Sequence, residues 1–477
     1  MSGFLAPAEM ASITGGRWLD GPPAELHGVG TDSREPMAGR LFVALRGERF
    51  DGHDHVAGAA AAGAAAVMVS REVTCHAPRL LVPDTLRALQ SLATAWRQRL
   101  PNALCVAITG SAGKTTVRRL VESVCRQLGA THASPRSFNN HLGVPLTLLG
   151  APADTQYLVV EIGMNHPGEI EPLARMAAPR SVIVTNAGTA HLGGMGSRQA
   201  IAREKVTIAR GLQAAGTLVV LGDQEHLLAA AFQEGLPPAG RLVGFGERGL
   251  NAFRLRGRQV LPGGRQRITV DSAAGPVQVE LGLPGAHNAM NAVGVVAALA
   301  SLGLPMPAIQ QGLALVEPAD MRLVRTRIHG VDVFNDAYNA NPDSVLAAVG
   351  TFAELTAGGS GRRVVALGDM LELGEEGPAL HKMVGEAVAR ALDGAAPALA
   401  ILCGSLSRHT AEAIRGTAPD SQVVWEADLG ARAAELAGLL RPGDALLVKG
   451  SRGSGMERLV AALQSLEKAK NTAPAGR

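Results

Sequence analysis

Apolar residues along this chain fall into short continuous runs that alternate with stretches of helical spacing. The runs at 41–45 and 66–70 read as short buried strands, with an Ala-rich helix between them. From 103 to 109 a continuous apolar run enters a glycine-containing turn, and residues 115–129 then carry a helical pattern. Strand-like runs recur at 157–162, 181–186 and 217–222, and an Ala-rich helix from about 286 to 302 closes that stretch. Beyond 320, further runs at 331–335, 363–368, 398–403 and 445–448 are again separated by helical segments. Parallel strands need helix-sized crossovers, so this alternation predicts parallel sheets. The expected fold class is α/β in three domains. A smaller N-terminal α/β domain covers 1–101, a central doubly wound parallel sheet covers 102–318, and a Rossmann-like α/β domain covers 319–477. No internal repeat is visible, and the polar tail from Lys468 is expected to lack structure.

With 477 residues, 47% of them apolar, and a net charge of only +3, the chain is excluded from the disordered class. The same charge balance argues against a basic nucleic-acid binder. Aromatics make up 3%, so the cores must be aliphatic, which suits layered α/β packing. Cys75, Cys105, Cys125 and Cys403 show no CxxC spacing and read as reduced thiols of a cytoplasmic protein. There is no basic segment followed by an apolar core at the start. The longest apolar run, 56–69, is too short to span a bilayer, so no membrane insertion is expected. Of the 45 Lys and Arg residues, six are lysines (Lys114, Lys205, Lys382, Lys449, Lys468, Lys470), leaving 39 arginines. A lysine retained in a motif of so arginine-rich a chain suggests chemistry that needs a primary amine or a compact ammonium.

The strongest local signal is Gly110-Ser111-Ala112-Gly113-Lys114-Thr115-Thr116, set between a strand and a helix. Backbone N–H groups there can surround phosphate oxygens, Lys114 can reach the β- and γ-phosphates, and the Thr115 hydroxyl can ligate Mg²⁺. The leading Gly of the full P-loop pattern is absent, its place being taken by Ile108. Glu161, at the end of its strand, is positioned for a metal, although taken alone it could be an ordinary strand-end acid. His191 follows another strand, and Lys205 lies in a helical stretch. Each has a plain reading as well, as a surface or capping histidine and a solvated helix charge.

Together these residues, with Pro284-Gly285-Ala286-His287-Asn288-Ala289-Met290-Asn291, resemble the Mur ligases, the ATP-dependent amide-bond-forming enzymes of peptidoglycan precursor synthesis. Thr31-Asp32-Ser33-Arg34 and the stretch 39–53 resemble the family's uridine-nucleotide domain. The stretches 139–147, 336–344, 367–374 and 448–452 are similar to the branch that joins D-alanyl-D-alanine to UDP-N-acetylmuramoyl-tripeptide. The resemblance implies that the first domain binds the UDP-sugar peptide, the second ATP, and the third the dipeptide. It implies an acyl-phosphate intermediate and two Mg²⁺ ions, the first held by Thr115 and Glu161, the second by Glu161, His191 and a carbamylated Lys205. Arg322 resembles an arginine that reaches phosphate on domain closure, with an interdomain salt bridge as the alternative. Asn288 and Asn291 would face the adenine, although Asn288 could also be a helix cap, and Asp336 would lie near the ribose. Ser33, Arg34, Asn139, Asn140, Asn339 and Asn341 would contact substrate. A monomer is the default expectation. Gly193, Met195, Thr207 and Met321 depart from the family pattern, which has Glu and an aromatic after the His-Leu pair, Glu two residues after the special lysine, and Gly before the arginine.

Overall fold

A computed structural model describes residues 4–48, 50–135, 137–391 and 398–472 of the chain, which builds three sheets, each with helices against it. The N-terminal sheet has five strands in the order Arg17–Leu19, Arg79–Leu81, Ala66–Val69, Leu41–Val43, Val29–Gly30, all parallel except the first. Its helix Thr85–Gln98 starts at Asp84, whose carboxylate accepts from the backbone N–H of Leu86 and Arg87. The same helix docks the first domain onto the second. Trp96 Nε1 donates to Ala151 O at 2.9 Å, and the buried Arg97 guanidinium donates to the carbonyls of Leu100, Ala177 and Ala178. A planar fork with several donors can satisfy that many carbonyls at once, so its burial costs little.

The central sheet has nine strands, and Leu104–Thr109 lies inside it, between Tyr157–Glu161 and Ser181–Val184. The chain order reverses around that strand, and such a switch point opens a crevice at the carboxyl ends of the strands. Seven strands, from Thr131–Ala133 to Phe253–Val260, are parallel. The sheet then continues through an antiparallel extension, Gln266–Asp271 and Val277–Leu281, absent from the sequence expectation. Alternate burial of Gln266, Ile268 and Val270 marks it as a strand with one solvated face.

The third sheet runs Val324–Ile328, Val331–Asp336, Ala445–Lys449, Arg363–Gly368, Leu399–Cys403, Gln422–Glu426; only its first pairing, a hairpin, is antiparallel. One expectation is corrected here. The last helix spans Glu457–Thr472, so the polar tail is helical from Lys468 to Thr472, and 473–477 lie outside the described residues. Straight-chain residues and alanine favour helix even where no core pattern demands it. Arg49, within the uridine-domain stretch, also lies outside the described residues.

Candidate functional site

The phosphate loop leaves the strand Leu104–Thr109 and enters the helix Lys114–Arg126, whose buried Val117, Leu120, Val121 and Val124 fix it on the sheet. The loop is locked from the neighbouring strand's end. Asn186 Oδ1 accepts from Ala112 N at 2.9 Å, Thr185 Oγ1 donates to Ala112 O, and Ser111 Oγ accepts from Gly188 N at 2.9 Å. Neighbouring side chains press so closely on this backbone that a Cβ on Gly110 would lie 1.8 Å from Thr185 Oγ1, and one on Gly113 (φ 82°) 2.8 Å from Asn291 Oδ1. Lys114 Nζ folds back onto Gly110 O at 2.8 Å. Burial holds its ammonium below the usual lysine range; Glu161 and Glu372 oppose this, and Arg322 adds to it.

Thr115 Oγ1 donates to Glu161 Oε2 at 2.9 Å, and Asn139 Nδ2 donates to Glu161 Oε1 at 2.8 Å. Glu161 is buried at the crevice floor, with its backbone N–H bound to Ser134 Oγ. Lys205, in the helix Arg198–Val206, is 1% exposed, and its side chain has no hydrogen bond or ion pair among the described residues. Burial, followed by the nearby Lys114 charge, drives its amine well below the ordinary lysine value, opposed by Glu204. The Glu204 carboxylate is committed elsewhere, accepting from Gly168 N and Ile170 N. His191 sits at φ 63° with Nδ1 2.7 Å from Glu372 Oε2 of the third domain.

The third domain reaches the loop directly. Arg322 Nη2 donates to Thr115 Oγ1 at 3.1 Å and its guanidinium lies 4.2 Å from the Tyr338 ring centre, with no carboxylate paired to it among the described residues. The salt-bridge alternative for Arg322 is therefore not what the structure contains. Asn341 caps the helix Pro342–Leu355 and also extends Nδ2 to Ser111 O at 3.5 Å, while Asp343 accepts from Thr189 N and Oγ1. Asp336 accepts from the buried Lys449 at 2.6 Å, and Lys449 also donates to Asn339 O.

Asn288 and Asn291 are both buried and meet each other, Asn291 Nδ2 donating to Asn288 Oδ1 at 3.3 Å. Asn288 is not the helix cap; the helix starts after Gly285, and Asn288 Nδ2 donates to Pro284 O. Asn140 spends its side-chain oxygen on Leu142 N and Gly143 N, and Asn339 accepts from Ala340 N. Ser33 and Arg34 stand in the first domain, apart from the phosphate loop, with Arg34 in a two-point pairing to Asp32. Thr116 lies in the first turn of the loop's helix. Sequence reasoning gave no role to Ser134, Asn186, Tyr338, Asp343, Glu372 or Lys449. The last four lie within motifs it had singled out, so the polar residues of those motifs were the available signal.

Comparison with known proteins gives one answer along the whole chain. Residues 25–97 match the Mur ligase family catalytic domain, 108–299 the Mur ligase middle domain, and 321–452 the Mur ligase glutamate ligase domain. The UDP-N-acetylmuramoyl-tripeptide–D-alanyl-D-alanine ligase of Escherichia coli is 36% identical over 96% of this chain and 98% of its own. The ligase of the same name from Bacillus subtilis is 37% identical over 76% and 78%. Among solved structures, MurF from Acinetobacter baumannii superposes with a TM-score of 0.84 at 30% identity, covering 96% of this chain and 98% of its own. The MurF ligase of Thermotoga maritima, solved in complex with ADP, shares the fold with a TM-score of 0.77 at 24% identity, covering 93% and 98%.

Proposed function

The chain belongs to the Mur ligase family and is an ATP-dependent ligase of peptidoglycan precursor synthesis, and from that premise we propose how its own residues join D-alanyl-D-alanine to UDP-N-acetylmuramoyl-tripeptide. A carboxylate oxygen of the tripeptide attacks the γ-phosphorus of ATP, giving an acyl phosphate and ADP. The dipeptide amine then adds to the acyl carbon, and the tetrahedral intermediate expels inorganic phosphate as the amide forms. The first step brings two anions together, so positive charge has to be fixed where the phosphoryl group passes. Lys114 and the first-turn N–H groups of the helix Lys114–Arg126 supply it from the central domain, and Arg322 supplies it from the third. Ser33 and Arg34 serve the uridine end, Asn288, Asn291 and Asp336 the adenosine, and Asn139, Asn140, Asn339 and Asn341 the peptide side.

The donor set fits Mg²⁺. Thr115 and Glu161 present hard oxygens on adjacent side chains, and among the described residues no three of His, Cys, Asp and Glu form a cage by themselves. A metal here would depend on nucleotide oxygens, as Mg²⁺ in phosphate sites commonly does. Thr115 and Glu161 would hold one ion. Glu161, His191 and Lys205 would hold a second, with Lys205 carbamylated. When bound, the ions supply charge neutralisation at the phosphates. The enclosure of Lys205 supports this reading, because it favours the neutral amine that adds carbon dioxide.

The observation that carries the proposal is Arg322 donating to Thr115, since it builds one phosphate site from two domains. No helix among the described residues is long and apolar enough to cross a membrane. We take the enzyme to be a cytoplasmic monomer, since its substrates are nucleotide-linked. The test is phosphate release measured with each substrate omitted in turn. Release is expected to require ATP, the UDP-linked tripeptide and the dipeptide together. Full turnover without the dipeptide would make the protein a kinase instead.

A further inference from the structure

The imidazole of His191 has two nitrogens and, among the described residues, one polar partner. Nδ1 lies 2.7 Å from Glu372 Oε2, and Nε2 has no protein partner among the described residues. The carboxylate comes from the third domain, whereas His191 follows a strand of the central sheet. A carboxylate on Nδ1 fixes that nitrogen as the N–H donor and leaves the Nε2 lone pair free, the arrangement a metal-binding imidazole needs. Both ends of the contact are held in unusual backbone: His191 has φ 63° and Glu372 φ 66°, the left-handed region that side chains other than glycine rarely occupy.

The two backbones are also in direct contact beside this pair. Gly193 N donates to Glu372 O at 3.2 Å. A Cβ on Gly193 would lie 2.8 Å from Gly374 N and 3.0 Å from its Cα, and a Cβ on Gly374 would lie 2.8 Å from Gly193 Cα. The obstruction in each case is backbone, which cannot rotate away. Gly193 stands where the family resemblance implies glutamate, and any side chain there would meet the Gly374 backbone two residues from Glu372.

We propose that Glu372 is a positioning residue that orients His191 for the second metal, and that the Gly193–Gly374 contact makes this orientation available only when the third domain is seated on the central one. Binding of the second ion and domain closure then favour each other reciprocally. The inference rests on the proposed role of His191 as a metal ligand.

The experiment uses the full chain with a non-hydrolysable ATP analogue and Mn²⁺ as the probe, counting free Mn²⁺ by electron paramagnetic resonance and following compaction by small-angle scattering. Glu372→Gln is expected to weaken the second Mn²⁺ about tenfold or more, while the first changes less than about twofold. Gly193→Ala, which alters no charge and no ligand, is expected to weaken the second ion similarly and to reduce compaction by Mn²⁺ and nucleotide. Glu372→Asp should recover part of the loss. Unchanged second-site affinity in Glu372→Gln overturns the orienting role, and a loss there with none in Gly193→Ala overturns the dependence on closure. His191→Ala separates the premise: if it leaves the second Mn²⁺ unaffected, His191 is not a ligand, and the metal reading fails instead. Melting curves of each variant identify any that simply unfold.

Discussion

At Lys205 burial and charge conflict. The side chain is 1% exposed, the Lys114 charge is close enough to disfavour a second ammonium, and no acid is paired with it among the described residues. An ammonium would also repel Mg²⁺, whereas a carbamate carries one negative charge and two hard oxygens on a longer stem than glutamate has. Arginine cannot form that adduct because its guanidinium stays protonated. Lys205→Arg and Lys205→Ala are therefore both expected to lose on the order of 10²-fold or more in turnover. A small added carboxylate should partly restore Lys205→Ala, and labelled bicarbonate should give a carbamate signal in the wild type only. Full activity in Lys205→Arg would return this residue to an ordinary helix charge. Met321 poses a different residue-scale conflict. It precedes Arg322 at φ 53°, where the family resemblance implies glycine, and its Cβ crowds the backbone. Met321→Gly should stabilise the protein by up to about 1 kcal/mol, the strain relief being partly offset by glycine's extra freedom when unfolded. A lower urea midpoint in that variant would show that the Arg452–Met321 contact matters more.

Elements were legible wherever burial was continuous. The strand Leu104–Thr109 and the helix after it stood out, since an unbroken apolar run followed by a glycine turn has few other meanings. The strand that leads into the antiparallel extension was not legible, because Phe253–Val260 is rich in arginine, half exposed and without strict alternation. The alternation of Gln266–Asp271 is a strand signal that continuous apolar runs do not capture. The site divides in the same way: Lys114, Thr115 and Glu161 follow one another along short local segments, whereas Glu372, Asp343 and Tyr338 acquire meaning only when a distant domain is folded back onto them. His287, at the start of the helix Ala286–Ser301, shows what such long-range placement does to an element. Burial lowers its pKa from 6.5 to about 4, with Lys449 and Arg258 adding to the effect and Asp336 opposing it. The folded protein therefore keeps His287 neutral while the unfolded chain takes up a proton. This contribution is fully present above about pH 6.5 and is lost as pH falls towards about 4. His287 keeps some exposed surface, so the loss is put at about 2 kcal/mol. Urea unfolding near pH 7 and near pH 4 should show His287→Gln losing less stability on acidification than the wild type. Equal losses would place the acid sensitivity in other groups.

For the whole molecule, the question is what holds the third domain against the second when substrates are absent. Several seam contacts lie at the phosphate loop: Arg322 with Thr115, Asn341 with Ser111, and Asp343 with Thr189. One does not. Arg258, on the central sheet beside the antiparallel extension, donates twice to Glu354 in the helix Pro342–Leu355, with Nη1–Oε1 at 2.9 Å and Nη2–Oε2 at 2.6 Å. Their side chains are 20% and 31% exposed, so the pair is screened less than a surface one and its two-point geometry restricts the angle of approach. A partly buried pair of this kind should favour the seated arrangement by about 1 kcal/mol. That is enough to shift a balanced equilibrium severalfold without committing it to one state. Glu354→Arg places two guanidinium groups opposite each other, and the ligand-free protein should become more extended in small-angle scattering. The dipeptide-dependent step should slow, while binding of the UDP-linked tripeptide to the first domain stays unchanged. Arg258→Glu combined with Glu354→Arg rebuilds the pair with its charges exchanged, and should return both the scattering profile and the rate towards wild type. A profile indifferent to Glu354→Arg would mean that the other seam contacts, at the phosphate loop and around Glu372, set the domain arrangement by themselves.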